Sequence, residues 1–219
     1  MLRERQDLGK ALTPEQESAL LAAASESDSA CNTATVLALN TAMRRSEIRL
    51  LRWQQVNWNR RTVTVGVSKT AAGTGRLIPL NSNAFETLGH WAKRFPNAKP
   101  EHYVFPSCEH ARVDPTRPTE GWRTAWRHAL KRAGFHCRFH DLRVTCITKL
   151  AESQTSDMTI MAIAGHVSRR MLEHYSRIRM DAKRAALDGI STPLFQTGVH
   201  QNVHQFLNPQ IPVVAKPLN

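Results

Sequence analysis

The sequence predicts an α+β fold, mainly helical, with a small antiparallel β-hairpin or sheet at one edge. Three observations carry this. Thr13-Pro14-Glu15-Gln16 is a strong helix start, because Thr13 can cap, Pro14 suits the first helical position and Gln16 completes a capping box. Trp122, Trp126, Ala129 and Ala133 fall at i, i+4, i+7 and i+11, one apolar helix face. Between these helical patterns, Arg61 to Val67 alternates with period two and is rich in β-branched residues, which marks a strand.

Residues 1–12 are polar and basic and read as an incoming arm or linker. The first helix then runs from Thr13 to about Ala24, and Ser25 to Ser29 is a loop. A second helix covers Thr33 to Asn40. A break at Thr41 to Arg45 leads to a third, from Ser46 to Trp53, with Ile48 and Leu51 facing inward. The strand at Arg61 to Val67 turns through Thr70 to Gly75, which holds two glycines, and returns as Arg76 to Leu80. Pro79 in that return puts it at a sheet edge. Asn83 to Phe95 is helical. Residues 96–118 carry several prolines and form a long irregular connection with a short strand at Tyr103 to Phe105.

Beyond that connection lies the Trp-striped helix, Thr119 to Ala133. Arg123, Arg127 and Lys131 form a basic line beside its stripe and read as a solvated face. Helices follow at His140 to Glu152, Asp157 to Ile163 and Ser168 to Leu187. Residues 191–219 have four prolines and one charged residue, Lys216, and read as a mostly disordered tail. The expected organisation is one domain over residues 1–190, followed by that tail.

With 219 residues, 41% of them apolar, and five tryptophans, the chain can bury a real core. Its 30 Lys+Arg against 18 Asp+Glu leave a formal charge of +12, which points to nucleic acid or an anionic membrane as partner. A run of 18 or more apolar residues does not occur, which excludes a spanning helix of that kind, and MLRERQDLGK lacks the apolar segment of a signal peptide. Nucleic acid is therefore the expected partner, and no membrane. Cys31, Cys108, Cys137 and Cys146 contain no CxxC pair. Cys137 and His140 have a ligand-like gap without a second pair to complete a site, so free thiols and no metal or cofactor are expected.

The chemistry starts from GHVSRRMLEHYSRIR, residues 165–179, where Tyr175 stands nine residues after His166 among Arg169, Arg170, Arg177 and Arg179. A tyrosine that attacks a phosphodiester needs help, since a phenol with a pKa of about 10 is mostly protonated at neutral pH. The transition state calls for arginine forks on the phosphoryl oxygens and for an acid to protonate the leaving alkoxide. The sequence offers those groups in separate pieces. Arg44 stands at a helix break, Lys69 at the hairpin tip, and His140 and Arg143 share one helix face at i and i+3. From its own surroundings Tyr175 reads first as a core aromatic, on a stripe with Ile178, Ala182 and Ala185. His174 reads as a helix-surface residue, and Glu47 as a buried partner that orients a catalytic arginine or histidine.

Taken together, the pieces resemble the catalytic domain of the tyrosine recombinases, the phage integrase family. TAMRRSEIRLLRW resembles the first box, T-G-[LM]-R-x-S-E-[LI]-x-x-L-x-W, and its register with Ser46-Glu47 makes Arg44, not Arg45, the first catalytic arginine. SKTAAGTGRLIPL resembles the hairpin segment with the catalytic lysine, which is then Lys69. HDLRVT resembles H-x-L-R-H-T, giving His140 and Arg143, and AGHVSRRMLEHYSRI resembles the last box, giving His166 and Tyr175. Three departures leave the catalytic groups in place: Ala42 for the usual Gly, Val144 for the usual His and Ala164 for the usual Leu. The likeness runs from about residue 10 to residue 187. The family usually carries a helical core-binding domain ahead of this region, whereas here the boxes begin almost at once, as expected of a fragment, a truncated gene or a minimal enzyme.

The resemblance implies a site-specific recombinase that cuts and rejoins double-stranded DNA through a 3′-phosphotyrosyl bond, without metal or ATP. It implies a cytoplasmic enzyme of bacterial or phage origin, a monomer alone and a tetramer on paired DNA sites. Residues 188–219 are either an exchanged C-terminal segment or a loose tail. Two alternatives stay open at this level: nicking and religation as in type IB topoisomerases, and a DNA-binding remnant without catalysis. Because the apolar stripe would bury Tyr175, a break in the helix is expected near Met171 to Tyr175.

Overall fold

Helix α2 is the element on which the others pack. A computed structural model of the chain describes residues 9–26, 29–153, 155–165, 167, 180, 183–184 and 187–190. Helices α1 (Pro14–Ser25), α2 (Ser29–Thr41) and α3 (Arg45–Arg49) come first. Three short strands follow, β1 (Val56–Asn57), β2 (Thr62–Thr64) and β3 (Leu77–Pro79), then α4 (Ser82–Ala92). A hairpin of β4 (Pro106–Glu109) and β5 (Arg112–Pro118) precedes α5 (Arg123–Ala133), α6 (Phe139–Glu152) and α7 (Asp157–Ala164). Two compact units divide the chain, Met1–Ala182 and Lys183–Asn219. In the second, residues 183–184 and 187–190 are helical and exposed.

The sequence of α2, SACNTATVLALNT, is small or apolar on nearly every side. Cys31, Ala34, Leu37 and Ala38 have no exposed surface, as befits a helix with no polar face to turn outward. Short side chains let neighbours approach closely, and α1, α3, α4 and α6 all pack against it. Its polar groups bond back along the helix: Thr35 Oγ1 donates to the Cys31 carbonyl at 2.8 Å, and Asn40 Nδ2 to that of Val36 at 2.8 Å. Helix α1 has the predicted capping box. Thr13 Oγ1 accepts from Gln16 N at 3.3 Å, and Gln16 Oε1 accepts from Thr13 N at 3.1 Å.

An aromatic chain fixes the far side of the core. Phe105 stacks on Trp91 of α4 at 5.7 Å and meets Trp122 edge-on at 5.3 Å, and Trp122 stacks on Phe139 at the start of α6 at 5.6 Å. A second apolar cluster, Ala42, Cys146, Ile147, Ala151, Ile160, Ala164 and Val167, joins α6 to α7. The first two turns of α6, which carry His140 and Arg143, thus lie between the Phe139 contact and the Cys146–Ile147 cluster.

Several expectations need correction. Helix α2 begins at Ser29, four residues before the expected Thr33, so the polar loop is shorter than its serines implied. Helix α3 ends at Arg49 rather than Trp53, because the next backbone groups are claimed by a distant segment. Val104 N donates to the Leu51 carbonyl at 2.8 Å, and Trp53 N to that of His102 at 3.1 Å. Tyr103 forms an isolated bridge with Arg52, not a strand of its own. The connection 96–118 holds the β4–β5 hairpin, whose turn places His110 and Ala111 at positive φ (48° and 63°) without the Gly or Asn that signals such a turn. Of Arg61 to Val67 only Thr62–Thr64 pairs as strand, and the two-residue β1, too short to show a period, adds a partner on the other side. Pro79 does lie on an edge strand, in the order β1-β2-β3. Helix α5 starts at Arg123, and Arg123, Arg127 and Lys131 are exposed as expected. All four cysteines are free thiols; burial first of all pushes Cys137 up to about 12 and Cys146 up to about 11, which leaves both unreactive.

The central place of α2 has a measurable consequence. Leu37→Ala removes a fully buried side chain and lowers stability by about 2–5 kcal/mol in urea unfolding, whereas Val67→Ala, at a position 78% exposed, shifts it by less than about 0.5 kcal/mol.

Candidate active site

Glu47 is where the separate pieces meet. It sits one turn into α3, 3% exposed, and both carboxylate oxygens are engaged. Oε2 accepts from the Arg44 backbone N–H at 2.7 Å and from Arg76 Nη2 at 2.6 Å. Oε1 accepts from Arg44 Nη1 at 2.9 Å, Ser68 Oγ at 2.6 Å and Arg76 Nη1 at 3.1 Å. Burial alone would raise this carboxyl. The hydrogen bonds from Arg76, Ser68 and the Arg44 backbone outweigh it and hold the group at about 2, so it stays charged.

Each predicted residue within the described part can be followed. Arg44 is the N-cap of α3, in extended backbone (φ −72°, ψ 153°), and its guanidinium also reaches Ser68 Oγ at 3.4 Å. Arg143 lies on α6, 4% exposed, and donates through Nη1 to the Ala42 carbonyl. Burial and then the nearby Arg44 charge lower its pKa to about 10. His140, exposed on the first turn of α6, is lowered below its ordinary value by desolvation and next by Arg143, so it is neutral at neutral pH. Lys69 is exposed, just before the 3-10 turn Ala71–Gly73.

Arg44, Lys69 and His140 line one open groove of about 710 Å³, with Arg45, Ser46, Arg49 and Glu120. Arg45 and Arg49 serve its wall. Arg49 Nη1 donates to the Thr119 carbonyl at 3.0 Å, and Arg45 Nη2 reaches that of Glu120 at 3.5 Å. Gly121 stands at φ 141°, a backbone conformation that favours glycine, and a Cβ there would lie 2.1 Å from Arg45 Nη2 and displace that guanidinium. A more enclosed cavity of about 450 Å³, walled by Trp91, Phe95, Phe105 and Trp122, contains none of the predicted residues. The groove is the candidate site because three of the predicted residues line it and one of them, Arg44, is held by the Glu47 network.

His166 and Tyr175 lie outside the described residues, with Arg169, Arg170, His174, Arg177, Arg179 and the expected helix break near Met171. The described backbone leads up to them: Gly165 ends α7 at φ 75°, ψ −144°, its N–H donating to the Met161 carbonyl at 2.7 Å. The chain's other tyrosine, Tyr103, is engaged elsewhere. Its hydroxyl accepts from Arg52 Nη2 at 2.7 Å, under a guanidinium 4.1 Å from the ring centre.

Two of these contacts were not foreseen. Arg76 was read only as a strand residue, yet it is 8% exposed and forks onto Glu47 from 29 positions away. Alternation carried a signal: Arg76 shares the inward face with buried Ile78 and Leu80. Ser68 gave no signal of its own. The substitution at Ala42 is also accounted for. It stands at φ 52°, where an L-residue costs about 1–2 kcal/mol. Its fully buried methyl, worth about 0.8 kcal/mol, offsets part of that.

The carboxylate predicts a pH signature. Its folded pKa is depressed, so its contribution is complete above the unfolded value of about 4.3 and is lost as pH falls toward 2. The difference corresponds to roughly 3 kcal/mol. Glu47→Gln costs about 3–5 kcal/mol near pH 7, because Arg76 loses its buried counter-charge, and it flattens the acid limb between about pH 5 and 2. Urea unfolding of both proteins across that range checks this.

The family model for the phage integrase family matches residues 10–181. The shufflon-specific DNA recombinase of Escherichia coli is 33% identical over 158 residues, covering 68% of this chain and 36% of that protein. The integrase of Salmonella phage P22 is 30% identical over 151 residues, 64% of this chain and 37% of that protein. The chain thus spans little more than a third of the length of these curated relatives. Among solved structures, the integrase of the Tn1549 transposon in complex with circular intermediate DNA has the same fold (TM-score 0.64, 21% identity, 85% of this chain and 67% of that one). By its four boxes, its fold and the family match over residues 10–181, this chain belongs to the phage integrase family of tyrosine recombinases.

Proposed function

We propose that this chain is the catalytic part of a site-specific DNA recombinase that cuts and rejoins duplex DNA through a 3′-phosphotyrosyl intermediate on Tyr175. The observation that carries the reading is the groove that gathers Arg44, Lys69 and His140, with Arg143 one turn beyond His140 on α6 and bonded to the carbonyl of Ala42, two residues before Arg44. The Arg44 charge disfavours the nearby Arg143 cation, a cost that a purely structural ion pair would avoid. A phosphodiester between them relieves that repulsion, and each planar fork can hold two of its oxygens.

In this mechanism Arg44, Arg143 and His166 hold the scissile phosphate. The Tyr175 hydroxyl oxygen attacks phosphorus as the bond to the 5′ oxygen breaks, and Lys69 gives that oxygen its proton. His140, neutral at working pH, accepts the phenolic proton or bonds the phosphate. The bond energy is kept in the phosphotyrosyl link, so neither ATP nor a metal ion is consumed or needed for charge neutralisation. A 5′-hydroxyl from a second strand reverses the step and completes the exchange. Relatives named recombinase and integrase favour joining of two sites over relaxation at one. The exposed basic line Arg123, Arg127 and Lys131 extends the positive surface for backbone phosphates, which makes binding steeply salt-dependent. We read the active assembly as a tetramer on two duplexes, formed from monomers on DNA.

The test is covalent trapping on a nicked suicide duplex taken from DNA flanking the encoding gene. The unchanged protein gives an adduct that survives denaturant. Tyr175→Phe gives none while binding the duplex within about twofold, since the phenolic oxygen serves chemistry rather than affinity. An adduct with Tyr175→Phe, or none with the unchanged protein, overturns the assignment.

A further inference from the structure

We infer that Arg76 is a positioning residue that sets the place of Lys69 relative to the phosphate-holding arginines. This rests on the reading of Lys69 as proton donor. Lys69 is exposed on a loop between β2 and β3, and a mobile lysine would be a poor acid because proton transfer needs the donor within about 3 Å of the leaving oxygen. The loop is fastened on both sides of Lys69 to the same carboxylate. On one side Ser68 Oγ donates to Glu47 Oε1 at 2.6 Å. On the other, Arg76 Nη1 donates to the Gly73 carbonyl at 2.7 Å while both terminal nitrogens of Arg76 fork onto Glu47 at 2.6 and 3.1 Å. Arg76 Nε donates to the Ile163 carbonyl at 2.9 Å, at the end of α7, three residues before His166.

One guanidinium therefore ties three segments: the helix behind Arg44, the loop of Lys69 and the helix that leads to His166. Four of its five N–H donors are used in the fold, so Arg76 does not itself need to touch DNA. Close packing leaves little slack. A Cβ on Gly73 would lie 2.3 Å from Ser68 Oγ and 3.2 Å from Arg76 Nη1, so the two fastenings meet across this glycine. A lysine at position 76 would keep the charge but lose the fork, and the loop end would come loose.

The experiment compares Arg76→Lys and Arg76→Gln with the unchanged protein on two nicked duplexes. One carries the ordinary scissile phosphate; the other has sulfur in place of the bridging 5′ oxygen, whose thiolate leaves without a proton. On ordinary DNA the variants form adduct roughly ten- to a hundredfold more slowly, a fraction of what a positioned acid contributes. On the sulfur-bridged DNA they come within about threefold of the unchanged protein, because Lys69 is no longer needed. An equal slowing on both substrates, or no slowing on either, overturns the inference. Amide exchange without DNA gives a second reading. The Gly73 and Thr74 amides, which bond within the turn at 2.9 and 3.0 Å, exchange faster in the variants while α2 stays protected. Unchanged exchange in that turn also overturns it, even for a variant too unstable to assay. If the unchanged protein forms no adduct, the recombinase reading falls, while the exchange data still decide whether Arg76 holds the loop.

Discussion

Glu47 carries a full negative charge in a buried setting, where an isolated carboxylate would be neutral or costly by several kcal/mol. It stays ionised at neutral pH because five hydrogen bonds converge on it from Arg44, Ser68 and Arg76. Those donors come from a helix cap, from the loop after β2 and from the residue before β3, the last two 21 and 29 positions from Glu47. The carboxylate therefore fastens the cap of α3, the Ser68 loop and Arg76 to one another. An apolar residue in its place would pack, but would give Arg44 no fixed direction.

The same network explains how positive charge is kept concentrated. Arginines repel, and Arg143, lowered to about 10 first by burial and then by Arg44, feels that repulsion. The fold bears it because α6 is clamped by Phe139 against Trp122 on one side and by the Ala42–Ile147–Ile160 cluster on the other. Hydrophobic packing thus supplies the energy that holds like charges near one another. In the proposed function a DNA backbone returns some of it, which would make binding and the electrostatics of the site one property rather than two.

Much of this was legible in the sequence, for identifiable reasons. Capping chemistry is local, so the start of α1 at Thr13 could be read from four residues. Arg44, Lys69, His140 and Arg143 were nominated by short patterns that resemble the family's boxes, and the structure brings Arg44, Lys69 and His140 to one groove, with Arg143 one turn beyond His140 on α6. What escaped depended on distant partners. Arg76 needs Glu47, 29 positions away, to show what it does. Helix α3 stops early because residues 102–104 take its backbone groups, and the His110-Ala111 turn has no glycine to announce it. In each case the deciding energy is a tertiary contact, which no local window contains.

The central claim is that the phosphate held beside Glu47 becomes bonded to Tyr175, and identifying the attached residue tests it most directly. After trapping on a suicide duplex, nuclease trimming and proteolysis, mass spectrometry should find the remaining nucleotide on the peptide that contains Tyr175, through its 3′ phosphate. Attachment at Tyr103, the chain's other tyrosine, at a serine or at a histidine, or through a 5′ phosphate, would contradict the account.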